Sequence, residues 1–387
     1  MAGQSNWADA HNSRAVVQRT AYLPCASRLA DSLWASSKIP SRKRIFRFSP
    51  KKIAKQLFRR LLIPDRGIVW YPYAVRTATQ LIRSDPNISC VFTSSPSFSD
   101  HLAANRLKQK LGIKWIADFR DFHWIEAKEN ASTGFAARLN KRAERIVIER
   151  ADACVFISES MREEYIERYP ELKGRSHVIY NGYDPEEFLA PAPNCDKELT
   201  IFYSGAFYGG ERCPKPLLKA LDEMLTENEH GADKIKIQIA GSLDAESKNI
   251  LNAFGSSKLI EYLGVIPRTE VLRRMSEADL LWLIVGSRKA HCYGFPVKGY
   301  EYIGAKRPIL GFCPQGSEAE KVLKENGCEL TFSSDSTSEQ LKIHLRKYLN
   351  QKMVGKKIEL EPTSTSERFK RKFHAEQLGK VIEGLTG

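Results

Sequence analysis

In the stretch GFPVKGYEYIGAKRPILGF, residues 294 to 312, a lysine and a glutamate stand three places apart. Lys298 and Glu301 fall on what reads as the first turn of a helix, just after Gly294 and Pro296. Residues at i, i+3 share a helix face, so the two can simply pair with each other. They can also divide the work: a carboxylate accepts bonds from two neighbouring hydroxyls, such as those of a ribose, while the lysine faces phosphate. The loop after the apolar run IFYSG supplies chemistry to match. It holds Gly205, Gly209 and Gly210, followed by Arg212 and Lys215 immediately before a helical pattern. Glycine lets backbone amides approach an anion, the helix start presents a positive dipole end, and two cations complete a phosphate-sized pocket. The plainer alternative is a flexible loop with solvated charges.

A third group lies in ADFRDFHW, where Asp118, Arg120 and Asp121 stand at the end of an apolar run, with His123 two residues on. Three ionisable residues at a strand exit suit a catalytic role, or else an Arg–Asp ion pair that pins the loop. Asp-x-x-Asp is not the Asp-x-Asp that marks a metal-bridged sugar nucleotide. The loop TSSPSFSDH, with Ser94 to His101, offers hydroxyls at a helix start, where Ser and Thr most often serve as plain caps.

The elements that must position these groups alternate. From residue 86, the runs ISCVFTSS, KWIADF, DACVFIS and SHVIY read as strands, separated by the helical patterns SFSDHLAANRLKQKLG, AARLNKRAERIVIERA and ESMREEYIERYP. Such βαβ alternation predicts an open α/β sheet. DPEEFLAPAPNCDKE, with three prolines and clustered charge, has the composition of a linker. A second cycle follows: strands LTIFYSGAF, IKIQIAGS, LIEYLGVIP, DLLWLIVG, PILGF and CELTF, with helices between them. The expected organisation is a first domain over 1–184, a linker over 185–198, a second domain over 199–360 and a helical tail over 361–387. Ligands of such sheets sit beyond the carboxyl ends of strands, which is where all four loops fall.

At 387 residues the chain exceeds what one core usually fills, so two domains are expected on length as well. No apolar run reaches the roughly 20 residues that span a bilayer, and the N-terminus lacks the basic start and apolar block of a secretory signal, so a cytoplasmic location is the default. The eight cysteines form no C-x-x-C pair and read as free thiols, with no metal site expected. The net charge of +14 concentrates between Asp31 and Asp65, which hold ten Lys or Arg between them and no acid. Within that stretch, residues 49–63 form a basic amphipathic pattern suited either to an anionic membrane surface or to an ordinary surface helix. Nucleic acid is disfavoured as a partner, because no binding motif is present and no aromatic residue lies on the basic face.

Taken together, WIADFRD, ERADACVFISESMREEYIERYP, HVIYNGYDPEEF, FYSGAFYGG, IQIAGS, LGVIPRTEVLRRMSEADLL and VKGYEYIGAKRPILGF resemble, in that order, the retaining GT-B glycosyltransferases of family four. The resemblance covers roughly residues 60 to 345. It implies two Rossmann-like doubly wound α/β domains facing a central cleft, a nucleotide-sugar donor held by the second domain, and an acceptor held by the first; the basic helix points to a glycan or lipid-linked acceptor. It implies no cofactor and no metal, the nucleotide sugar being a substrate. By similarity, Glu301 holds the donor ribose and Lys298, or Arg212 with Lys215, neutralises the diphosphate. Gly205 brings its backbone to the phosphates, and Val265 and Ile266 flank the base.

Three departures accompany the resemblance. Members commonly carry Glu-x7-Glu, whose second member matches Glu301, but the first position here is Tyr293. Where many members have His before Asp, this chain has Arg120 before Asp121, and an arginine stays protonated. No strand and glycine-rich loop precede AVVQRT, so the chain is either shortened relative to the family or built differently at its start. The expected activity is transfer of a sugar with retention, in cell-envelope or polysaccharide biosynthesis, peripheral to the membrane if the basic helix binds it. The alternatives are a sugar-nucleotide epimerase on the same fold and a non-catalytic nucleotide-sugar binder.

Overall fold

The computed structural model describes residues 63–121, 134–188, 198–328, 331–333, 336–356, 358 and 364–387. The basic pattern over 49–62, His123 and most of the linker lie outside the described residues. Helices and strands alternate in chain order: α1 (Tyr71–Ser84), β1 (Cys90–Ser94), α2 (Phe98–Leu111), β2 (Lys114–Phe119), α3 (Phe135–Arg150), β3 (Ala153–Phe156), α4 (Glu159–Arg168) and β4 (Ser176–Val178). The second cycle is β5 (Leu199–Ser204), α5 (Lys215–Thr226), β6 (Ile235–Ala240), α6 (Ala245–Asn252), β7 (Ile260–Gly264), α7 (Arg268–Glu277) and β8 (Leu280–Ile284). It continues with α8 (Val297–Gly304), β9 (Ile309–Phe312), α9 (Glu318–Glu325), β10 (Thr331–Phe332), α10 (Ser338–Met353) and α11 (Arg371–Thr386). Among the described residues, no helix is long and apolar enough to cross a membrane.

The strands form two sheets, one of four strands in the order β1-β2-β3-β4 and one of six in the order β10-β9-β8-β5-β6-β7. Every pairing in the second sheet is parallel. Contacts divide the chain into two compact units, 1–117 with 132–151 and 118–131 with 152–387.

In the first unit, α2 ends where Gly112 takes a left-handed φ of 70°, a conformation that costs glycine nothing. Its start is held by Asp65, whose carboxylate accepts from the Ser99 amide (3.0 Å) and hydroxyl (2.8 Å). His101 is buried, with Nδ1 2.8 Å from the Thr93 hydroxyl, which in turn accepts from Trp115 Nε1 at 2.8 Å. That chain satisfies buried polar groups around a fully buried indole, as interiors require. The 94–101 loop is thus occupied with structure.

In the second unit, strand burial follows position in the sheet. β8 is buried along its whole length, consistent with a central parallel strand covered on both faces. Trp282 on it packs edge-on to Tyr203 of β5, and Tyr203 stacks on Phe207 with centroids 4.4 Å apart. Burial pushes the Cys154 and Cys313 thiols up to about 12, so both behave as small hydrophobes. The tail returns to this unit: Phe369 is fully buried against Tyr180 and Tyr300, and Tyr183 exchanges backbone bonds with Phe369 and Arg371. Gly182 makes room for that return, since a Cβ there would lie 2.2 Å from the Phe369 carbonyl oxygen.

Candidate donor site

The order of the second sheet locates a crevice. From β5 the chain winds outward through β6 and β7, then crosses back to β8 and winds the other way through β9 and β10. The reversal lies between β5 and β8. Adjacent loops leave that point in opposite directions and open a gap beyond the strand ends, where ligands of doubly wound sheets bind.

Gly205 follows β5 directly at this gap, with φ of 125°. A Cβ on it would lie 3.6 Å from Lys298 Nζ and 3.9 Å from Arg212 Nη1, so two cations from separate segments converge beside a position whose φ favours glycine. Lys298 donates to the Ser204 carbonyl (3.1 Å) and sits 3.8 Å from the centroid of the Tyr203 ring. Arg212 lies 4.8 Å from the centroid of Tyr208. Among the described residues neither cation has a carboxylate partner. Burial, and secondarily the positive Arg212, hold the Lys298 ammonium well below the ordinary lysine value. Two like charges brought together in a half-buried cradle cost free energy until an anion joins them.

Two expectations change here. The Gly205 amide is already spent on the Ala240 carbonyl (2.8 Å), completing the ladder, so it has no donor left for phosphate. From Ala206 to Arg212, the amides of Gly209, Glu211 and Arg212 have acceptors, while among the described residues those of Ala206, Phe207, Tyr208 and Gly210 do not. Lys215 does not join Arg212. It lines a separate cavity of about 330 Å³ with Phe254, Phe312, Phe332 and Leu341, in which neither Arg212 nor Lys298 takes part. As the first residue of α5 it points along a helix face toward α10, and proximity in sequence to Arg212 could not reveal that.

Glu301 also departs from the simplest expectation. It pairs with Arg268 on α7 (2.6 Å) rather than with Lys298, and the same guanidinium reaches Glu187 at 2.7 Å. The Glu301 side chain is only 12% exposed, so a shallow turn of α8 holds its carboxylate in place, with Oε2 left over for hydroxyls. Arg268 follows the loop that contains Val265, which is 81% exposed, and Ile266, which packs against the core. Val265 therefore presents a bare apolar surface, while Ile266 anchors the loop beneath it. Sequence reasoning missed Arg268, although it lies in a motif already singled out and is the first cation after the β7 exit.

At the end of β2 the ionisable groups engage one another. Arg120 donates from Nε to Asp118 (2.7 Å) and from Nη1 to the carbonyls of Ile179 (2.9 Å) and Tyr180 (3.3 Å) and to Asn181 Oδ1 (3.3 Å). Asp118 is buried, so the pair is a fastener between the β2 and β4 exits. Asp121 is exposed, and partial burial nonetheless raises its carboxyl above the usual range. Tyr293 donates to Glu164 on α4 (2.8 Å), its carbonyl accepts from the N-cap residue Ser158, and Glu318 accepts from Tyr180 (3.2 Å) and from Ser160 (2.5 Å). The position that departs from Glu-x7-Glu is thus held by α4.

Two α/β units, each built on a parallel sheet, make up the GT-B fold. Over residues 40–187 the chain matches the model of the family described as Glycosyltransferase Family 4. No curated protein sequence matches the chain. Solved structures resemble it at low identity. They include sucrose-phosphate synthase from Thermosynechococcus elongatus, 14% identical over 92% of each chain with a TM-score of 0.57. HepE from Anabaena, in complex with UDP, is 13% identical over 80% of this chain and 82% of its own, with a TM-score of 0.57. A glycosyltransferase from Rickettsia africae is 14% identical over 92% of this chain and 87% of its own, with a TM-score of 0.54. At these identities the likeness establishes the fold.

Proposed function

We propose that the protein transfers a sugar from a nucleoside diphosphate donor, with retention, to a glycan or lipid-linked acceptor, without a metal ion. The observation that carries this reading is the convergence of Lys298 and Arg212, within 4 Å of a Cβ placed on Gly205, at the switch point of the second sheet. When the glycosidic bond breaks, negative charge grows on the departing diphosphate. Fixed cations and unspent amides stabilise that charge, and because the cradle is already assembled they need no reorganisation as the bond cleaves. In this reading Glu301 accepts the two ribose hydroxyls while Arg268 holds it in register. Val265 borders the base, and Asp121, the exposed carboxylate of the β2 exit, serves the acceptor side.

A lipid-linked acceptor is supported by the basic stretch between Asp31 and Asp65, which suits an anionic membrane surface. UDP, GDP and ADP, titrated calorimetrically, test the donor site: one of them should bind, and Lys298→Ala should weaken that binding strongly. No binding by any of the three overturns the reading. Incubation of the matching nucleotide sugars with lipid-linked and oligosaccharide acceptors, followed by NMR of the new anomeric centre, tests transfer and retention.

A further inference from the structure

Tyr208 is an outlier on three counts. It is not glycine, yet its φ is 51°, the left-handed region that costs an ordinary residue roughly a kcal/mol or more. Its side chain is 59% exposed although it is a large aromatic. One face of its ring is covered by the Arg212 guanidinium, 4.8 Å from the centroid. The two residues that follow, Gly209 and Gly210, take positive φ values of 63° and 83° as glycines, and a third glycine at 208 would relieve the strain. A strained backbone that lifts an aromatic ring into solvent, backed by a cation of the phosphate cradle, makes sense when a flat group lies on the open face.

The position of the loop says which flat group. Three residues of extended chain reach at most ~10 Å, so Tyr208 lies within about the length of a nucleoside of Gly205. The loop tip is tied toward the β6 exit, where Gly209 donates to Asp244 (2.9 Å), itself the N-cap of α6. The same loop is also tied toward the β8 exit, where Glu211 pairs with Arg288 at 2.7 Å and lies 3.4 Å from His291. Tyr208 therefore stands on a loop held at both rims of the switch-point gap.

We propose that Tyr208 is the stacking platform for the donor nucleobase, which lies on the open face of its ring opposite Arg212. Stacking on an aromatic face is sequence-tolerant, because every base has such a face. Tyr208 thus supplies affinity for a nucleoside as such, and the choice among bases rests with other groups. This deepens the donor-site reading and rests on it.

The test compares inorganic pyrophosphate with UDP, GDP and ADP on wild type, Tyr208→Phe, Tyr208→Ala and Tyr208→Gly. Whichever nucleotide binds wild type should bind Tyr208→Phe within twofold, and Tyr208→Ala and Tyr208→Gly at least tenfold more weakly. Pyrophosphate should bind all four alike. Tyr208→Gly should also melt higher than wild type, because the strain is gone, so that stability rises while nucleotide affinity falls. Failure of every nucleotide to bind wild type defeats the donor-site reading itself. Nucleotide binding by wild type with unchanged affinity in Tyr208→Ala defeats the stacking role alone. Equal losses of pyrophosphate and nucleotide would overturn it in favour of a residue that only shapes the loop. A loss confined to the nucleotide sugar, with the diphosphate unaffected, would overturn it in favour of contact with the sugar.

Discussion

At the exit of β2, Arg120 spends its guanidinium on buried Asp118 and on two carbonyls, and the charges cancel where they stand. At the exit of β5, Arg212 and Lys298 meet over Gly205 with no carboxylate among the described residues to offset them. Both clusters follow an apolar parallel strand, and by composition the first looks the more reactive, with two acids and a base in four residues. The geometry reverses that impression. Opposite charges in contact lower each other's energy and fix a loop, while like charges in contact raise it and are retained where something arrives to neutralise them.

Substitutions can break this contrast, and the largest effect is expected at the paired cluster. Arg120→Ala strands the Asp118 carboxylate and loses the bonds to 179–181. It should cost about 3 kcal/mol in denaturant unfolding while leaving nucleotide affinity within twofold. An equal loss of binding would show that the β2 exit belongs to the site. Lys298→Ala should do the opposite, weakening nucleoside diphosphate binding by about 2 kcal/mol, roughly 30-fold, with a melting temperature equal to or above wild type. A clear fall in stability would mean that the cation is structural.

The next effect is a pH dependence whose sign follows from the depressed Lys298. An arriving diphosphate favours the ammonium and raises its pKa, so binding takes up a proton wherever the free protein has lost it. Affinity should fall as pH rises through the lowered value, by up to about tenfold per unit, and stay flat in Lys298→Arg, whose guanidinium remains protonated. Calorimetry in buffers of different ionisation enthalpy measures the uptake directly, and none detected on the alkaline side would remove the assignment.

Glu301→Gln keeps the size of the side chain but weakens both the Arg268 pair and acceptance from hydroxyls. A loss of about fivefold in nucleotide affinity is expected, with pyrophosphate unaffected. The smallest effect belongs to Lys215→Ala, which lines the other cavity and should change affinity by less than twofold. A loss comparable to that at Lys298 would bring Lys215 back into the phosphate site.

Much of the fold was legible in the amino-acid order because its signals are local. Runs such as LLWLI, VFTS and IKIQIA are too short and apolar to be anything but strands between helical patterns, and Gly112 closes α2 where it was expected to. The helix at Tyr71–Ser84 went unread. It precedes the first strand and carries no alternation around it to frame it. The site was legible at the level of loops, since sheet order and strand ends follow from alternation. Partners within it were not. The choice of Glu301 between Lys298 and Arg268, the diversion of Lys215, and the spent amide of Gly205 each depend on a contact between segments far apart in the chain. Local spacing holds no record of those. Tyr208 left no trace either, because a left-handed φ at a tyrosine runs against the preference that would announce it.

The return of Phe369 into the space beside Gly182 has a practical consequence. The carbonyls that receive Arg120 belong to Ile179 and Tyr180, and Tyr180 also backs onto the Phe369 ring. A stop codon or fusion junction upstream of Phe369 would therefore loosen the β2 exit almost two hundred and fifty residues earlier in the sequence, so that damage mapped there originates in the turn before α11.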